Sequence, residues 1–134
     1  MEKQLKKIIL ILLIFSASLY AQVTNKYLSK ELVNSKIPIV DIRTLNEWKE
    51  TGIIKNSITI TSWNETGNID IKAFLTKLNQ KVDTSKPFAI ICRTGNRTKA
   101  LSAFLSEEIG YSIVNIKGGI TLAPANKIIL VPYK

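Results

Sequence analysis

The chain has no histidine among its 134 residues and a single cysteine, Cys92. The first absence removes Ser-His-Asp and Cys-His hydrolases, whose general base is an imidazole, and the usual histidine-ligated metals. The second removes thiolate zinc sites, Cys-x-x-Cys redox pairs and any intrachain disulfide. Neither a Gly-x-Gly-x-x-Gly nor a Walker-type loop is present, so no metal and no cofactor is expected. Acidic residues are few, 10 against 19 Lys and Arg, for a net charge of +9. The lysines are scattered from Lys26 to Lys134 with no basic run or interleaved aromatics. That pattern fits a solvated surface with mild attraction for small anions, and not a nucleic-acid partner.

Long apolar runs are also missing. Ile8 to Phe15 is continuous, but a bilayer span needs about 20 apolar residues. Lys3, Lys6 and Lys7 precede the run, and Ser16-Ala17-Ser18-Leu19-Tyr20-Ala21 follows it. This is the layout of a secretory signal peptide cut after Ala21, with an uncleaved anchor as the alternative. The expected organisation is a leader over 1–21 and one domain over 22–134, exported, in a bacterium to the periplasm, with no stable membrane insertion once the leader is cut. No cysteine follows the apolar stretch to carry a bacterial-type lipid anchor. Without the leader, 16 basic and 9 acidic residues leave +7. The remaining chain has no linker, repeat or low-complexity tract and is long enough for its own core. In an oxidising compartment structural cysteines come in pairs, so a lone one points to a reactive thiol or an intermolecular bond.

Cys92 stands at a telling place. Phe88-Ala89-Ile90-Ile91 is an unbroken apolar run after Lys86-Pro87, as expected for a strand buried on both faces of a parallel sheet. Arg93-Thr94-Gly95-Asn96-Arg97 is a short polar loop, and from Thr98 to Ile109 the residues Leu101, Phe104, Leu105 and Ile109 fall at helical spacing. The cysteine therefore lies between a strand tip and a helix N-terminus. Amides there lack intrahelical acceptors and favour negative charge. Arg93 and Arg97 add two cations, and Gly95 lets backbone approach a ligand. Such surroundings favour thiolate over thiol, making Cys92 a candidate nucleophile beside a cradle for an anionic substrate. The plainer reading is a small core residue closing a strand, but that role requires neither the glycine nor the paired arginines.

Elsewhere the pattern alternates strands and helices. Leu28, Leu32 and Val33 predict a short amphipathic helix within 25–34, and Ile37 to Ile42 a first buried strand. Thr44-Leu45-Asn46-Glu47 is a capping box, Trp48 a core anchor, and Asp41 and Arg43, near the strand tip, suit a structural ion pair or hydrogen bonds more than catalysis. Ile58 to Thr61 predicts a short or edge strand, Asp70 a helix start carrying Ile71, Phe74, Leu75 and Leu78, and Ser112 to Ile116 another strand. Gly110 suits a helix C-cap. Ile128 to Val131, between Pro124 and Pro132, is open between a tail strand and a packed extension. Strand–helix alternation implies a parallel α/β sheet with right-handed crossovers.

Three stretches resemble one family. Cys92-Arg93-Thr94-Gly95-Asn96-Arg97-Thr98 resembles the active-site loop of single-domain rhodaneses, sulfurtransferases that carry a persulfide on the loop cysteine. Val40-Asp41-Ile42-Arg43 with Glu47-Trp48 is similar to the family's first signature, and Ile116-Lys117-Gly118-Gly119-Ile120 to its last. The resemblance runs from about Val23 to the C-terminus. It implies a rhodanese-like three-layer α/β domain, a central parallel sheet with helices on both faces. It also implies catalysis by Cys92, with Arg93, Thr94, Gly95, Asn96, Arg97 and Thr98 binding substrate. Small sulfur anions such as thiosulfate would donate, and cyanide, a thiol or a protein would accept. Two departures stand out: Gly52-Ile53-Ile54-Lys55-Asn56-Ser57 lacks the family's histidine, and Thr121-Leu122-Ala123-Pro124 lacks an aromatic after the double glycine.

Phosphatase or arsenate-reductase chemistry is the enzymatic rival, since cysteine phosphatases also use a Cys-to-Arg anion loop. Their arginine stands six positions after the cysteine, whereas Arg97 is five after Cys92. The smaller cradle fits one sulfur atom better than a tetrahedral phosphoryl group. A persulfide carrier without turnover, or a binding module, is the alternative of another class.

Overall fold

In the computed structural model, which describes residues 1–6 and 21–134, the apolar run at Phe88–Ile91 is the central strand β5 and is buried throughout. The leader reading falls mainly on residues outside the described ones. Around β5 lie β1 (Val23–Tyr27), β2 (Ile39–Asp41), β4 (Ile58–Thr59) and β6 (Ile113–Lys117), all parallel, in the order β1-β6-β5-β2-β4. Two further strands, β3 (Ile53–Ile54) and β7 (Leu130–Val131), pair antiparallel as a separate ribbon. The helices are α1 (Lys30–Asn34), α2 (Leu45–Thr51), α3 (Ile71–Lys81) and α4 (Asn96–Phe104).

Side chains alternate across the sheet and build two cores. On one face Val40, Phe88, Ile90, Cys92 and Ile113 meet Phe74 and Leu78 of α3 and Leu101 of α4. On the other, Ile39, Ala89, Ile91, Val114 and Ile116 meet Leu32 of α1, Ile54 and the turn at Ile120. This is a three-layer arrangement, with helices on both faces of a parallel sheet, as expected from the strand–helix alternation.

Local signals explain the element ends. Asp70 caps α3 through Ala73 N, the Thr44–Glu47 capping box opens α2, and Gly110, at φ 90°, ends the helical segment that begins with α4. One expectation needed correction: Val23–Tyr27, partly read as helix, is strand β1, and helix is confined to Lys30–Asn34 after Ser29. Strand-favouring Val23, Thr24 and Tyr27 add to the free edge of β6, a long-range pairing invisible to local periodicity. The tail left open is β7, and its partner β3 is the stretch that departs from the family signature.

Sheet order reverses beside β2: the chain leaves β2 for β4 on one side and later reaches β5 on the other. The crevice beyond the C-terminal ends of β2 and β5 is where open α/β sheets place ligands. Cys92 and the Arg43–Glu47 segment follow those two strand ends.

Candidate functional site

Cys92 is 1% exposed and continues the inward face of Phe88 and Ile90. The Gly95 amide donates to its Sγ at 3.1 Å, and the thiol donates to Thr98 Oγ1 at 3.7 Å. Thr98, fully buried, passes its own proton to Gly95 O at 3.2 Å. Gly95 is the N-cap of α4 with φ 100°, a conformation that suits glycine, and no side chain caps the helix. The first-turn amides of Asn96, Arg97 and Thr98 are consequently left to an external acceptor. One loop amide thus already donates to the sulfur and the uncapped helix mouth adds amides without intrahelical acceptors, a setting suited to charge on that sulfur or on one attached to it.

The chain's last motif braces this loop from behind. Ile120 N donates to Cys92 O at 2.9 Å and Thr121 N to Arg93 O at 3.2 Å, from the short helical turn Gly119–Leu122. Gly119 has φ 63°, and a Cβ there would lie 2.4 Å from Arg93 O and 2.6 Å from Cys92 O. Gly119→Ala is therefore expected to destabilise the domain by roughly 2–4 kcal/mol, from left-handed strain and overpacking together. Urea unfolding checks this, and turnover should fall at temperatures where the variant is folded.

Arg97 is held from the front. Both Glu47 oxygens accept from its guanidinium, at 2.9 and 2.7 Å, and Thr44 N donates to Glu47 Oε2 at 3.0 Å. Burial pushes the Glu47 carboxyl up, but the hydrogen bonds from Arg97 and Thr44 and the Arg97 charge hold it at about 2, below its ordinary 4.5. The same pair keeps Arg97 charged, against its partial burial, and a Cys92 thiolate would add to that. The fork therefore buttresses the loop and adds positive potential, with its best hydrogen-bonding geometry already taken. Because the folded carboxyl is the stronger acid, its stabilisation is complete above about pH 4.5 and is lost as pH falls toward about 2. Glu47→Gln should cost about 1–2 kcal/mol at neutral pH. The gap from the parent protein should close across that acidic window in denaturant midpoints taken against pH.

Behind Glu47 lies a fully buried pair. Asp41 accepts from Arg43 Nη2 at 2.8 Å, Arg43 Nε at 3.0 Å and Trp48 Nε1 at 3.0 Å. Arg43 also donates to Thr51 Oγ1 and Gly52 O, so the tip of β2 is tied to the C-terminal end of α2. These are structural partners, and Trp48 is the buried anchor its sequence position implied.

The loop residues Cys92 to Thr98 are brought together, with Arg93, Thr94 and Asn96 exposed on the outer side and Thr98 inside. Sequence reasoning places Glu47 in a capping box and, with Trp48, in the family's first signature; its grip on Arg97 depends on a contact fifty residues away. Gly118-Gly119 is legible only as part of the last signature, and the closeness of Gly119 to Cys92 O likewise depends on a distant pairing.

A family model for the rhodanese-like domain matches residues 24–122. An uncharacterised protein of Rickettsia prowazekii (strain Madrid E) is 34% identical over 93 residues, 66% of this chain and 72% of the relative. A rhodanese-like domain protein of Staphylococcus aureus superposes with a TM-score of 0.58 at 25% identity, covering 84% of this chain and 99% of that one. A Rhodopseudomonas palustris protein of unknown function, described as a possible tyrosine phosphatase, gives a TM-score of 0.52 at 22% identity over 75% of each chain. At that identity the last likeness speaks for the fold alone.

Proposed function

The chain belongs to the rhodanese-like domain family, and on that premise we propose that it is an exported sulfurtransferase working through a persulfide on Cys92. The observation that carries the reading is the Gly95 amide on Sγ at 3.1 Å, at the mouth of an uncapped helix. In the first half-reaction the Cys92 thiolate attacks the outer sulfur of thiosulfate or another sulfane donor. The donor's S–S bond breaks, its electron pair leaves with sulfite, and a Cys92 persulfide remains. Loop amides from Thr94 to Thr98 stabilise the charge on the terminal sulfur, while exposed Arg93 and the field of Arg97 draw the anion in. In the second half-reaction cyanide or a thiol takes the outer sulfur and Cys92 returns as thiolate, which gives ping-pong kinetics. Export is carried by the basic, apolar and small-residue order of the first 21 residues.

One observation favours a second reading. At 1% exposure the thiol is recessed, which supports a persulfide carrier that turns over slowly with small acceptors. Phosphoryl transfer has less support, because Arg97 already donates to both oxygens of Glu47.

Intact-mass spectrometry of the domain before and after thiosulfate, with a cyanide chase, tests the proposal. A gain of one sulfur that cyanide removes is expected. No gain, with the protein folded and the thiol free, would overturn it, and uptake followed by slow release would select the carrier.

A further inference from the structure

We propose that the face of the domain carrying α1 and the β3–β7 ribbon docks on the surface of a bilayer with anionic headgroups, holding the Cys92 loop outward. This goes beyond the persulfide chemistry and does not depend on it. Lysines that are scattered along the chain are gathered here by the fold. Lys30, Lys55 and Lys127 line one groove of about 310 Å³ together with Val33, Ile128 and Ile129. An adjoining groove of about 210 Å³ shares Val33 and Lys55 and adds Lys36, Ile37 and Pro38. Val33, Ile37 and Ile128 pack on the core that holds Leu32 and Ile54, so both grooves lie on the same face of the sheet.

Positive charge and apolar surface coincide on this face. The stretches that build it, 30–37, 54–57 and 127–130, hold four lysines and one carboxylate, Glu31. The rest of residues 22–134 holds 12 basic and 8 acidic residues, a far weaker excess. All four lysines are exposed, and among the described residues none of them is ion-paired. Ile129 stands among them at 87% exposure. Ammonium groups around an exposed apolar side chain suit a membrane surface, where the charges meet phosphates and the apolar chain enters the headgroup boundary. One exposed isoleucine is too small an apolar centre for a stable protein interface, which makes lipid the better fit.

Topology sets the orientation. Lys36 stands three residues before β2 and Lys55 three before β4, at the N-terminal end of a parallel sheet whose opposite end carries Cys92. Contact through that end leaves the loop clear of the bilayer. The chain also enters there: Gln22 O accepts from Ile113 N, at the start of β1 and β6. The apolar run Ile8–Phe15 therefore joins the domain at the end that Lys36 and Lys55 occupy. Whether the leader is cut or kept, the domain meets the bilayer by the same end. The helical segment that carries Glu107 and Glu108 packs on the other core through Leu105, so those carboxylates belong to the far face.

Residues 22–134 contain every core side chain described above and are the unit to test. Vesicles of phosphatidylglycerol and phosphatidylcholine in equal parts should sediment the protein at about 0.1 M salt, and pure phosphatidylcholine vesicles should not. Binding should be lost at roughly 0.5 M salt, where the attraction is screened. A lysine near an anionic surface strengthens binding about fivefold, so Lys36→Gln with Lys55→Gln should weaken it about 25-fold. Lys72→Gln with Lys77→Gln, exposed on α3 over the other core, lowers the net charge equally and should change binding by no more than about twofold. Equal losses in the two pairs would reduce the effect to net charge and overturn the proposal, as would no preference for the anionic vesicles. Thermal midpoints establish that each variant is folded. Orientation has a separate readout: iodoacetamide, an uncharged reagent, should alkylate Cys92 equally fast on vesicles and in solution. Protection would put the loop against the bilayer and overturn the docking geometry. None of these readouts needs sulfur to load, so a failure of the persulfide reading is told apart from a failure of this one.

Discussion

Cys92→Ser should lower sulfur transfer by at least about 10³-fold, to the level of the uncatalysed reaction, while the domain stays folded. Serine keeps the shape of the site and gives the Gly95 amide an oxygen to donate to in place of Sγ. What it lacks is a readily formed anion. A hydroxyl nucleophile needs an adjacent base, and the chain has no histidine to supply one. Nor can an oxygen take up sulfane sulfur as a persulfide. The stability cost should be small, about 1 kcal/mol, because the buried hydroxyl inherits both the Gly95 donor and the Thr98 partner. Turnover measured beside the thermal midpoint separates the two effects. Activity near the parent level in a folded Cys92→Ser protein would remove the thiolate from the chemistry altogether. Cys92→Ala offers a useful contrast: it orphans the Gly95 amide, so it should be the less stable of two equally inactive variants.

Much of this site could be read along the chain because its parts are local. The apolar run Phe88–Ile91, the glycine at 95 and the helical spacing beyond it lie within one strand–loop–helix unit, where short-range rules hold. The capping box at Thr44 was legible for the same reason. What escaped depends on pairs distant in sequence. β1 was partly read as helix because its stability comes from β6, ninety residues on. Glu47 carries a capping signal that fully accounts for it locally, which hid its grip on Arg97. Asn115 sits in an apolar strand pattern as an ordinary interruption; only the register beside Asn25 shows that its carbonyl lacks a partner. Local sequence gives Arg93 and Arg97 the same part, as two cations beside the cysteine, and cannot show that they differ. Arg97 is committed to a carboxylate, and Arg93 is exposed.

Asp41→Ala should destabilise the domain by about 3–5 kcal/mol, as much as truncating a core aromatic. The pair is wholly inside, with both side chains at 0% exposure, so neither charge is screened by water. Removing the carboxylate strands the Nε of Arg43 and the indole N–H of Trp48, and takes from Arg43 Nη2 one of its two acceptors. The remaining acceptors of Arg43, Thr51 Oγ1 and Gly52 O, are neutral and cannot balance a buried cation. Against a total stability of about 5–15 kcal/mol for an ordinary domain, the loss takes a large share. Replacing both members, Asp41→Leu with Arg43→Met, should cost much less than Asp41→Ala alone, since no charge is then left buried. Urea midpoints for the two variants decide the matter: if the double variant is as unstable as the single one, the pair is stabilising in itself and the penalty is not one of an abandoned charge. The Cys92 loop should register the difference too. Arg43 ties β2 to the C-terminal end of α2, and α2 carries the Glu47 that fixes Arg97. An apolar pair that restores stability but loosens α2 should leave persulfide formation intact while slowing turnover, separating what holds the domain together from what aims its loop.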